Sequence, residues 1–444
     1  MPDAIEKVIT RFPPSPTGFL HIGRARTALF NYLFANHYKG SFVFRLEDTD
    51  TERSKPEYAT DIIESLKWLG ISYANKEVWR QSERSSVYKS HLKKLLETGA
   101  AYISKETEGE RAEVVRFKNP NKTITFTDLV RGEISFDTAD LSDFVIAKSP
   151  EEPLYHLAVV IDDSEMGVTH ILRGEDGISN TPRQILLQEA MGFLRPKYAH
   201  IPLILAPDRS KLSGRHGAVS VRDYRDQGYL PEAVINYLAL LGWNPGTDQE
   251  IFSLRELVEH FDLSKVQKGG AIFNVEKLNW FNKQYIQKLT PAEKIANVQN
   301  FISKEQFGVI QQNPGLIDLM MERISTFGEL GTAVKVGDYN YFFGKPVYEK
   351  NALLWKGVGD FSKVKDRLSA VKELIEKMSS DLFNRVSVKE VLWPYAEKEG
   401  RGEVLWPLRM SLSGKEKSPD PFVLSEVLGK KETLERITTA LNLL

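Results

Sequence analysis

The stretch KVITRFPPSPTGFLHIGRARTALFNYLF, residues 7–34, carries the alternation that decides the fold of the first half of the chain. "KVITRF" predicts a strand, "PPSPTGFL" a loop, and apolar residues at helical spacing after His21 predict a helix that ends at Gly40. "SFVFRLED", residues 41–48, predicts a second strand. This order is that of a βαβ unit, in which the first loop leads into a helix N-terminus that favours phosphate binding.

The sequence pattern after this βαβ unit predicts a multidomain protein. Short strand-like pieces such as "TITFTDLV" and "GEISFD" indicate a small α+β insert, and the α/β pattern resumes with "YHLAVVIDD", "THILRGED" and the strand-like "IPLILA". Helical segments follow from Tyr224 to the C-terminus. We therefore expect a Rossmann-type α/β domain with an insert, followed by all-α domains. The expected segments are 1–100 and 151–222 for the two α/β halves, 101–150 for the insert, and 223–290 and 291–444 for the helical part.

Composition sets limits on function. The 444 residues, of which 41% are hydrophobic, suffice for two to four domains with their own cores. No apolar run approaches the ~18 residues of a membrane span, and the N-terminus lacks the apolar core of a signal peptide, so we expect a cytoplasmic protein without membrane contact. The absence of cysteine excludes disulfides, thiol catalysis and cysteine-ligated zinc. A net charge of −1 means that any nucleic acid must be bound by local basic patches.

Two segments carry candidate binding chemistry. His21 lies at the start of the first predicted helix, and Gly18 and Gly23 allow the backbone to approach a ligand closely. The loop "APDRSKLSGRHGAVSV", residues 206–221, concentrates basic side chains among glycines and serines after a predicted strand. Alone, His21 fits a helix-entry residue and the loop fits a solvated turn. Together in one α/β domain they favour a site for an anionic nucleotide.

These two segments resemble the signatures of a known enzyme class. "PSPTGFLHIG" resembles the HIGH signature, and "KLSGR" the KMSKS signature, of class I aminoacyl-tRNA synthetases. The segments "RLEDTD", "VRGEISF", "ILRGEDGISNTPRQILL", "RDQGYLPEAVINYLALLGW" and "VLWPLRMSLSG" extend the similarity to bacterial-type glutamyl-tRNA synthetases over nearly the whole chain. The resemblance implies an acceptor-stem-binding insert, a helical stem-contact domain and helical anticodon-binding domains. It also implies that tRNA, L-glutamate, ATP and Mg²⁺ bind to a monomer.

The implied reaction has two steps: glutamate attacks the α-phosphate of ATP to give glutamyl-adenylate, and the terminal ribose of tRNA then takes the glutamyl group. It requires no enzyme nucleophile, so catalysis consists of positioning the reactants and stabilising charge on the phosphates. By motif position the catalytic residues are His21, Gly23, Lys211 and Arg215. ATP binding involves the same positions together with Asp176 and Ser213.

Glutamate has two carboxylates and one ammonium group, so its pocket requires two cationic clamps and one acid. By motif position, Arg11 and Arg173 bind the carboxylates, Glu47 binds the ammonium, and Ser15 and Tyr155 provide hydroxyls. Two alternatives remain open at this point. Glu47 could cap the next helix, and Arg173 could form an ion pair with Glu175 or Asp176. Some relatives carry a cysteine zinc site in the insert, which this sequence excludes, so no metal other than Mg²⁺ is expected.

Gly214 occupies the position of the second lysine of the KMSKS signature, and Arg24 that of the last histidine of HIGH. A missing lysine is expected to slow adenylate formation unless Arg209, Arg215 or His216 replaces it. Three alternative functions follow. A non-catalytic or weakly active tRNA-binding paralogue fits Gly214. A truncated paralogue that glutamylates a tRNA base, or a nucleotidyltransferase for a small molecule, would not require the helical C-terminal domains.

Overall fold

The computed structural model describes residues 7–105, 113–357 and 359–444. The chain forms two compact units, Met1–Gln287 and Lys288–Leu444; the sequence suggested a boundary after residue 290. The first unit combines strands with helices, whereas the described part of the second contains helices and no strand. The predicted fold class, an α/β domain with a small insert followed by all-α domains, is confirmed.

Strands occur in the first unit, and helices occur throughout the described chain. The strands are β1 (Ile9–Phe12), β2 (Ser41–Leu46), β3 (Trp79–Arg80), β4 (Ala101–Lys105), β5 (Glu113–Phe117), β6 (Thr123–Asp128), β7 (Gly132–Asp137), β8 (Phe144–Ser149), β9 (Glu152–Pro153), β10 (His170–Gly174), β11 (Lys197–Ile201), β12 (Ile204–Leu205) and β13 (Ala271–Ile272). The helices of the first unit are α1 (Ile22–His37), α2 (Pro56–Trp68), α3 (Ser85–Glu97), α4 (Tyr155–Glu165), α5 (Thr181–Met191), α6 (Val221–Asp226), α7 (Pro231–Leu240), α8 (Leu254–His260) and α9 (Val275–Lys288). The second unit contains α10 (Pro291–Val298), α11 (Lys304–Gln312), α12 (Gly315–Met321), α13 (Phe327–Lys335), α14 (Asn340–Phe343), α15 (Phe361–Glu376), α16 (Arg385–Glu399), α17 (Arg401–Ser413) and α18 (Pro421–Leu443).

The opening stretch forms the predicted βαβ unit. β1 and β2 lie parallel, with Phe12 paired to Phe44, and α1 connects them and packs its apolar face against β1. The turn from α1 into β2 requires Gly40, because a Cβ there would lie 2.0 Å from the carbonyl oxygen of Val8. The N-terminus of α1 therefore follows the carboxyl end of β1, the edge at which open parallel sheets bind ligands.

The second half of the α/β domain is built on β10 and β11, which pair in parallel. The hairpin of β6 and β7 joins this sheet, where Asp128 is the partner of Tyr198. The remaining strands of this region, β4, β5, β8 and β9, form a separate antiparallel sheet. The segment 101–150, expected as one insert, therefore contributes strands to two sheets. The carboxylate of Asp128 holds the hairpin in place by accepting a hydrogen bond from the backbone N–H of His200 at 3.0 Å.

The two halves meet where β1 runs beside β10. The backbone N–H of Thr169 donates to the carbonyl of Ile9 at 3.0 Å, and the N–H of Ile9 donates to the hydroxyl of Thr169 at 2.8 Å. β1 pairs in parallel with β2, and the contacts of Ile9 with Thr169 and of Arg11 with Leu172 show that β10 runs in the same direction, so the carboxyl ends of the three strands lie at one edge. Residues from segments about 160 positions apart can therefore share one site.

The strand predicted from "IPLILA" is placed differently in the structure. β11 ends at Ile201, and Pro202 follows, whose missing N–H cannot continue a central strand. After this break, the two-residue strand β12 pairs in parallel with β13 instead, with Ile204 opposite Ala271. The basic loop therefore leaves a short strand that belongs to a separate two-stranded sheet.

Several helices of the second unit begin at polar caps. Thr290 and Ser303 form capping boxes with Glu293 and Gln306, and an Asp or Asn side chain caps α15, α16 and α18. A break at Gly429, which has a φ of 77°, bends α18. No described helix of either unit is both long enough and apolar enough to cross a membrane.

Candidate active site

The carboxyl ends of β1, β2 and β10 bring four of the predicted site residues together. Arg11 lies in β1, Glu47 directly follows β2, and Arg173 lies in β10. Tyr155, at the start of α4, is electrostatically coupled to all three: burial raises the pKa of its phenol, Glu47 raises it further, and Arg173 and Arg11 lower it. Tyr155 as a whole remains 41% exposed. Tyr155 is therefore within electrostatic range of the three charges and partly open to solvent.

Arg173 has neutral hydrogen-bond acceptors on every guanidinium nitrogen. Its Nε donates to Nε2 of His200 at 3.1 Å, Nη1 to Oε1 of Gln184 at 2.8 Å, and Nη2 to the hydroxyl of Thr181 at 2.8 Å. Within the described part of the chain, no carboxylate forms an ion pair with Arg173. Burial lowers the pKa of Arg173, and the charge of Arg11 lowers it as well. A fixed cation without an acidic partner is suited to binding an anionic ligand.

The alternatives for Arg173 and Glu47 do not occur in the structure. Glu175 pairs with Arg131, and its other oxygen accepts the backbone N–H of Leu203. Asp176 pairs with Lys211 at 3.3 Å. Glu47 does not cap α2, which begins after Lys55, but accepts a hydrogen bond from Arg45.

Glu47 and Arg11 are connected through a buried ionic cluster. Nη2 of Arg45 lies 3.0 Å from Oε1 of Glu47, and Nη1 of Arg45 lies 2.6 Å from Oδ1 of Asp163. Asp163 in turn lies 3.3 Å from Nε of Arg11. Burial raises the pKa of Glu47 to about 6, although the charge of Arg45 opposes the rise. Glu47 therefore gains from a second cation, such as a ligand ammonium group.

His21 caps the N-terminus of α1. Its Nδ1 accepts the backbone N–H of Gly23 at 3.0 Å, so the ring is fixed beside the free N–H groups of the first turn. Burial lowers the pKa of His21, and the charges of Arg24 and Lys211 lower it further. A neutral imidazole at this end of the helix is suited to hydrogen bonding with a phosphate group. Arg24 extends past it and donates to the carbonyl of Ser15 at 3.1 Å.

The basic loop has an ordered internal structure. Gly214–His216 forms one turn of 3-10 helix, in which Ser213 and His216 make a capping box. Nη2 of Arg215 lies 3.2 Å from the hydroxyl of Ser210. The backbone of Lys211 forms an isolated antiparallel β-bridge with Leu205, and the residue is exposed. This internal bonding argues against a purely solvated turn, because it fixes the backbone from which Lys211 and Arg215 project.

Backbone hydrogen bonds join the basic loop to the start of α1. The N–H of Ile22 donates to the carbonyl of Val219, and the N–H of Val221 donates to the carbonyl of Leu20, both at 2.8 Å. His21 is thereby bridged to Ser220. The two segments that the sequence singled out are therefore neighbours, and they place the α1 N-terminus, His21 and Lys211 around one region.

Sequence reasoning missed the residues that hold the pocket from behind. Arg45, Asp163, Gln184, Thr181 and His200 received no role, although they lie in the segments "RLEDTD", "YHLAVVIDD", "NTPRQILL" and "HIPLIL". The signal that could have found them was the presence of charged and polar residues inside otherwise apolar strands and helices. No cluster of three or more metal-ligating side chains was found among the described residues.

Two known protein families match this chain. The family "tRNA synthetases class I (E and Q), catalytic domain" matches residues 7–113 and 103–280. The family "Anticodon binding domain" matches residues 257–441. Together these matches span nearly all of the chain.

Individual relatives match over nearly their full length. A glutamate–tRNA ligase of Aquifex aeolicus (strain VF5) is 41% identical, with 98% of this chain and 99% of the relative covered. A glutamate–tRNA ligase of Thermodesulfovibrio yellowstonii (strain ATCC 51303 / DSM 11347 / YP87) is 40% identical, with 97% and 98% covered. The crystal structure of a glutamate tRNA ligase from Elizabethkingia meningosepticum CCUG26117 in complex with its amino acid matches with a TM-score of 0.85 and 33% identity, over 98% of this chain and 99% of that chain.

Proposed function

Because this chain belongs to the glutamate–tRNA ligase family of class I aminoacyl-tRNA synthetases, we propose that it attaches L-glutamate to the 3′ end of tRNA through a glutamyl-adenylate. In the first step a carboxylate oxygen of glutamate attacks the α-phosphorus of ATP and pyrophosphate leaves. In the second, a hydroxyl of the terminal ribose of tRNA attacks the activated carbonyl and AMP leaves. The observation that carries this proposal is Arg173, a cation without an acidic partner beside Arg11, Glu47 and Tyr155.

The pocket accounts for the choice of amino acid by charge. Arg173 and Arg11 bind the two carboxylates, Glu47 binds the ammonium group, and Tyr155 and Ser15 add hydroxyl contacts. The like charges of Arg173 and Arg11 repel each other, and this repulsion adds to the larger effect of burial in lowering the pKa of Arg173. A dicarboxylate relieves this repulsion with one carboxylate for each guanidinium, whereas an amino acid with a neutral side chain supplies only one carboxylate for the two.

The nucleotide binds across the start of α1 and the basic loop. His21, Gly23 and the first-turn N–H groups of α1 face the phosphates, and Lys211 and Arg215 stabilise the charge that grows on the leaving pyrophosphate. Asp176 and Ser213 contact the nucleotide from the side of the basic loop. In the structure Asp176 holds Lys211 at 3.3 Å, so nucleotide binding exchanges one anionic partner of Lys211 for another. Mg²⁺ would enter with ATP and would neutralise part of the charge on its phosphates.

The helical part of the chain binds tRNA, with the stem contacted by residues 223–290 and the anticodon by 291–444, while 101–150 holds the acceptor stem. We further propose that the protein acts as a cytoplasmic monomer without zinc. These points rest on the family and on the absence of cysteine from the sequence. Light scattering checks the oligomeric state, and metal analysis of the purified protein checks for zinc.

Nothing in the relatives that match over the full length favours the non-catalytic alternative raised by Gly214, since each is named a ligase. The decisive experiment incubates the protein with labelled glutamate, ATP, Mg²⁺ and total bacterial tRNA and measures acid-precipitable label. We expect label that depends on ATP and tRNA, and none with labelled aspartate. Folded protein that transfers no label would contradict the proposed function.

A further inference from the structure

Arg173 is held from behind by a histidine of the neighbouring strand. The two residues are register partners in β10 and β11, and Nε of Arg173 lies 3.1 Å from Nε2 of His200. An arginine Nε always carries a hydrogen and can only donate, so Nε2 of His200 must be the unprotonated acceptor. The contact therefore requires one particular tautomer of His200.

Asp128 selects that tautomer. Its Oδ2 lies 2.7 Å from Nδ1 of His200, and the side chains of both residues have no exposed surface. The same carboxylate accepts the backbone N–H groups of Val130, Arg131 and His200. Burial raises the pKa of Asp128, but the hydrogen bonds from these backbone groups and from the His200 ring outweigh that effect and keep the pKa below its ordinary value. An ionised acceptor at Nδ1 leaves the proton there and leaves Nε2 free to accept.

We propose that His200 is a positioning residue for amino-acid binding: Asp128 fixes its tautomer, and its Nε2 sets the orientation of the Arg173 guanidinium toward the substrate carboxylate. This inference rests on the proposed function. It assigns roles to two residues that do not touch the substrate, one of which lies in the hairpin that leaves the insert to join β11.

The surroundings of His200 favour a fixed ring. Tyr198 stacks against it with ring centroids 6.2 Å apart and an interplanar angle of 2°. The hydroxyl of Thr181 lies 3.3 Å from Nε2 and also accepts from Arg173. Burial lowers the pKa of His200, and the charges of Arg173 and Arg131 lower it further against the opposing hydrogen bond of Asp128. The ring is therefore neutral at pH 7 and cannot rotate without losing a partner on each side.

Two substitutions at His200 separate its two hydrogen bonds. In His200→Gln, the amide oxygen reaches the position of Nε2 and still accepts from Arg173. In His200→Asn, the shorter amide reaches only the position of Nδ1, so it can donate to Asp128 but leaves Nε of Arg173 without an acceptor. We expect His200→Asn to raise the KM for glutamate at least about tenfold, with the KM for ATP and kcat within about threefold of wild type. We expect His200→Gln to restore the glutamate KM to within about threefold.

A third variant tests the tautomer. In Asp128→Asn, the amide oxygen must serve the N–H groups of Val130 and Arg131, which turns an NH₂ group toward Nδ1 of His200. The imidazole then carries its proton on Nε2, where it meets the N–H of Arg173, as in other enzymes in which a carboxylate orients a histidine. This variant should therefore resemble His200→Asn in its glutamate KM.

The control is His170→Asn, at a buried histidine that begins β10, three residues before Arg173, and whose ring contacts Thr169 and Phe34. It should lower stability without changing the glutamate KM. Charging of tRNA is measured at saturating ATP, glutamate binding by calorimetry, and folding by circular dichroism. If wild type charges tRNA but His200→Asn and His200→Gln have the same glutamate KM while folded, the inference is overturned and the proposed function stands. If wild type neither binds glutamate nor charges tRNA, both are overturned.

Discussion

Nη1 of Arg45 lies 2.6 Å from Oδ1 of Asp163, and both side chains are buried. This pair connects two sides of the pocket, because Arg45 also holds Glu47 and Asp163 also holds Arg11. The acid assigned to the ammonium and one cation assigned to a carboxylate are thus parts of one ionic network. Its members come from β1, β2 and α4, so the pocket can form only when these elements are packed together.

Removing the shared charge should therefore destabilise the first unit. In Asp163→Asn, Arg11 and Arg45 lose their common counter-charge in a buried site, and breaking such a pair typically costs about 3–5 kcal/mol. Urea unfolding followed by circular dichroism measures this loss. The control is Asp226→Asn, whose exposed pair with Arg222 should contribute less than about 1 kcal/mol. Equal stability of the two variants would show that the network does not support the fold.

Truncation of Arg173 should affect glutamate use first. Losing one partner of a charged contact in a desolvated pocket costs about 2–5 kcal/mol, so Arg173→Ala should lower kcat/KM for glutamate well over tenfold. Arg195→Ala removes an exposed arginine that pairs with Glu189 and should leave kcat/KM unchanged. Steady-state charging with varied glutamate tests both. An unchanged value for folded Arg173→Ala would mean that the pocket is assigned to the wrong residues.

A substitution at Gly177 tests independently whether the Arg173 guanidinium binds glutamate. A Cβ at this position would lie 2.7 Å from Nε and 2.8 Å from Cδ of Arg173. Because three hydrogen bonds hold Arg173, Gly177→Ala must displace it, and we expect the glutamate KM to rise at least about tenfold. Gly269→Ala is the matched control, since nothing lies within 4 Å of a Cβ there. A glutamate KM that is the same in both variants would contradict the assignment.

The ionised carboxylate of Glu47 is expected to lower the stability of the fold while serving glutamate binding. Its pKa of about 6, against an ordinary value of 4.5, means that the ionised carboxylate costs the fold about 2 kcal/mol above pH 6. The cost is relieved as pH falls from about 6 toward 4.5, because the folded state takes up its proton first. Glu47→Gln should therefore raise stability at pH 7.5 and remove the part of the pH dependence of stability that arises from Glu47 in this range.

The same variant should impair glutamate use, because a neutral amide binds an ammonium group weakly. We expect kcat/KM for glutamate to fall at least about tenfold in Glu47→Gln, and the wild-type value to decline as pH drops below about 6. Unfolding free energies and charging rates at pH 5 to 8 test the two effects separately. A variant that is less stable than wild type yet fully active would contradict the assignment on both counts.

A substitution at Gly214 tests whether the basic loop lacks a cation that would speed adenylate formation. A Cβ at this position meets nothing within 4 Å and its φ is not positive, so a lysine can be accommodated without strain. A preorganised hydrogen-bond donor that stabilises the charge of the transition state typically raises a rate by about 10²–10³. Gly214→Lys should therefore raise the rate of glutamate-dependent pyrophosphate exchange, measured in the presence of tRNA, at least about tenfold. An unchanged or lower rate would mean that Arg209, Arg215 or His216 already performs this role. Gly214→Gln controls for the added length without charge.

The sequence by itself determined the order of elements and the segments that carry the chemistry. The βαβ unit of residues 7–48 follows from local periodicity and from the helix stop at Gly40. The structure gives the reason for that glycine, because the carbonyl of Val8 lies too close to allow a side chain. The fold class and the family were also accessible, because motifs such as "PSPTGFLHIG" and "KLSGR" are local in sequence. The single strand predicted at "IPLILA" is divided in the structure between the end of β11 and the short strand β12, because Pro202 interrupts strand pairing.

Only the tertiary structure decided what holds those residues in place. Asp128 reaches His200 across 72 positions and Arg45 reaches Asp163 across 118. The hairpin β6–β7 leaves the insert for the sheet of β11, and no local pattern contains that pairing. Sequence periodicity reports which face of an element is buried, whereas a buried charge acquires its partner only when distant elements pack together. The partner then fixes its protonation state and orientation.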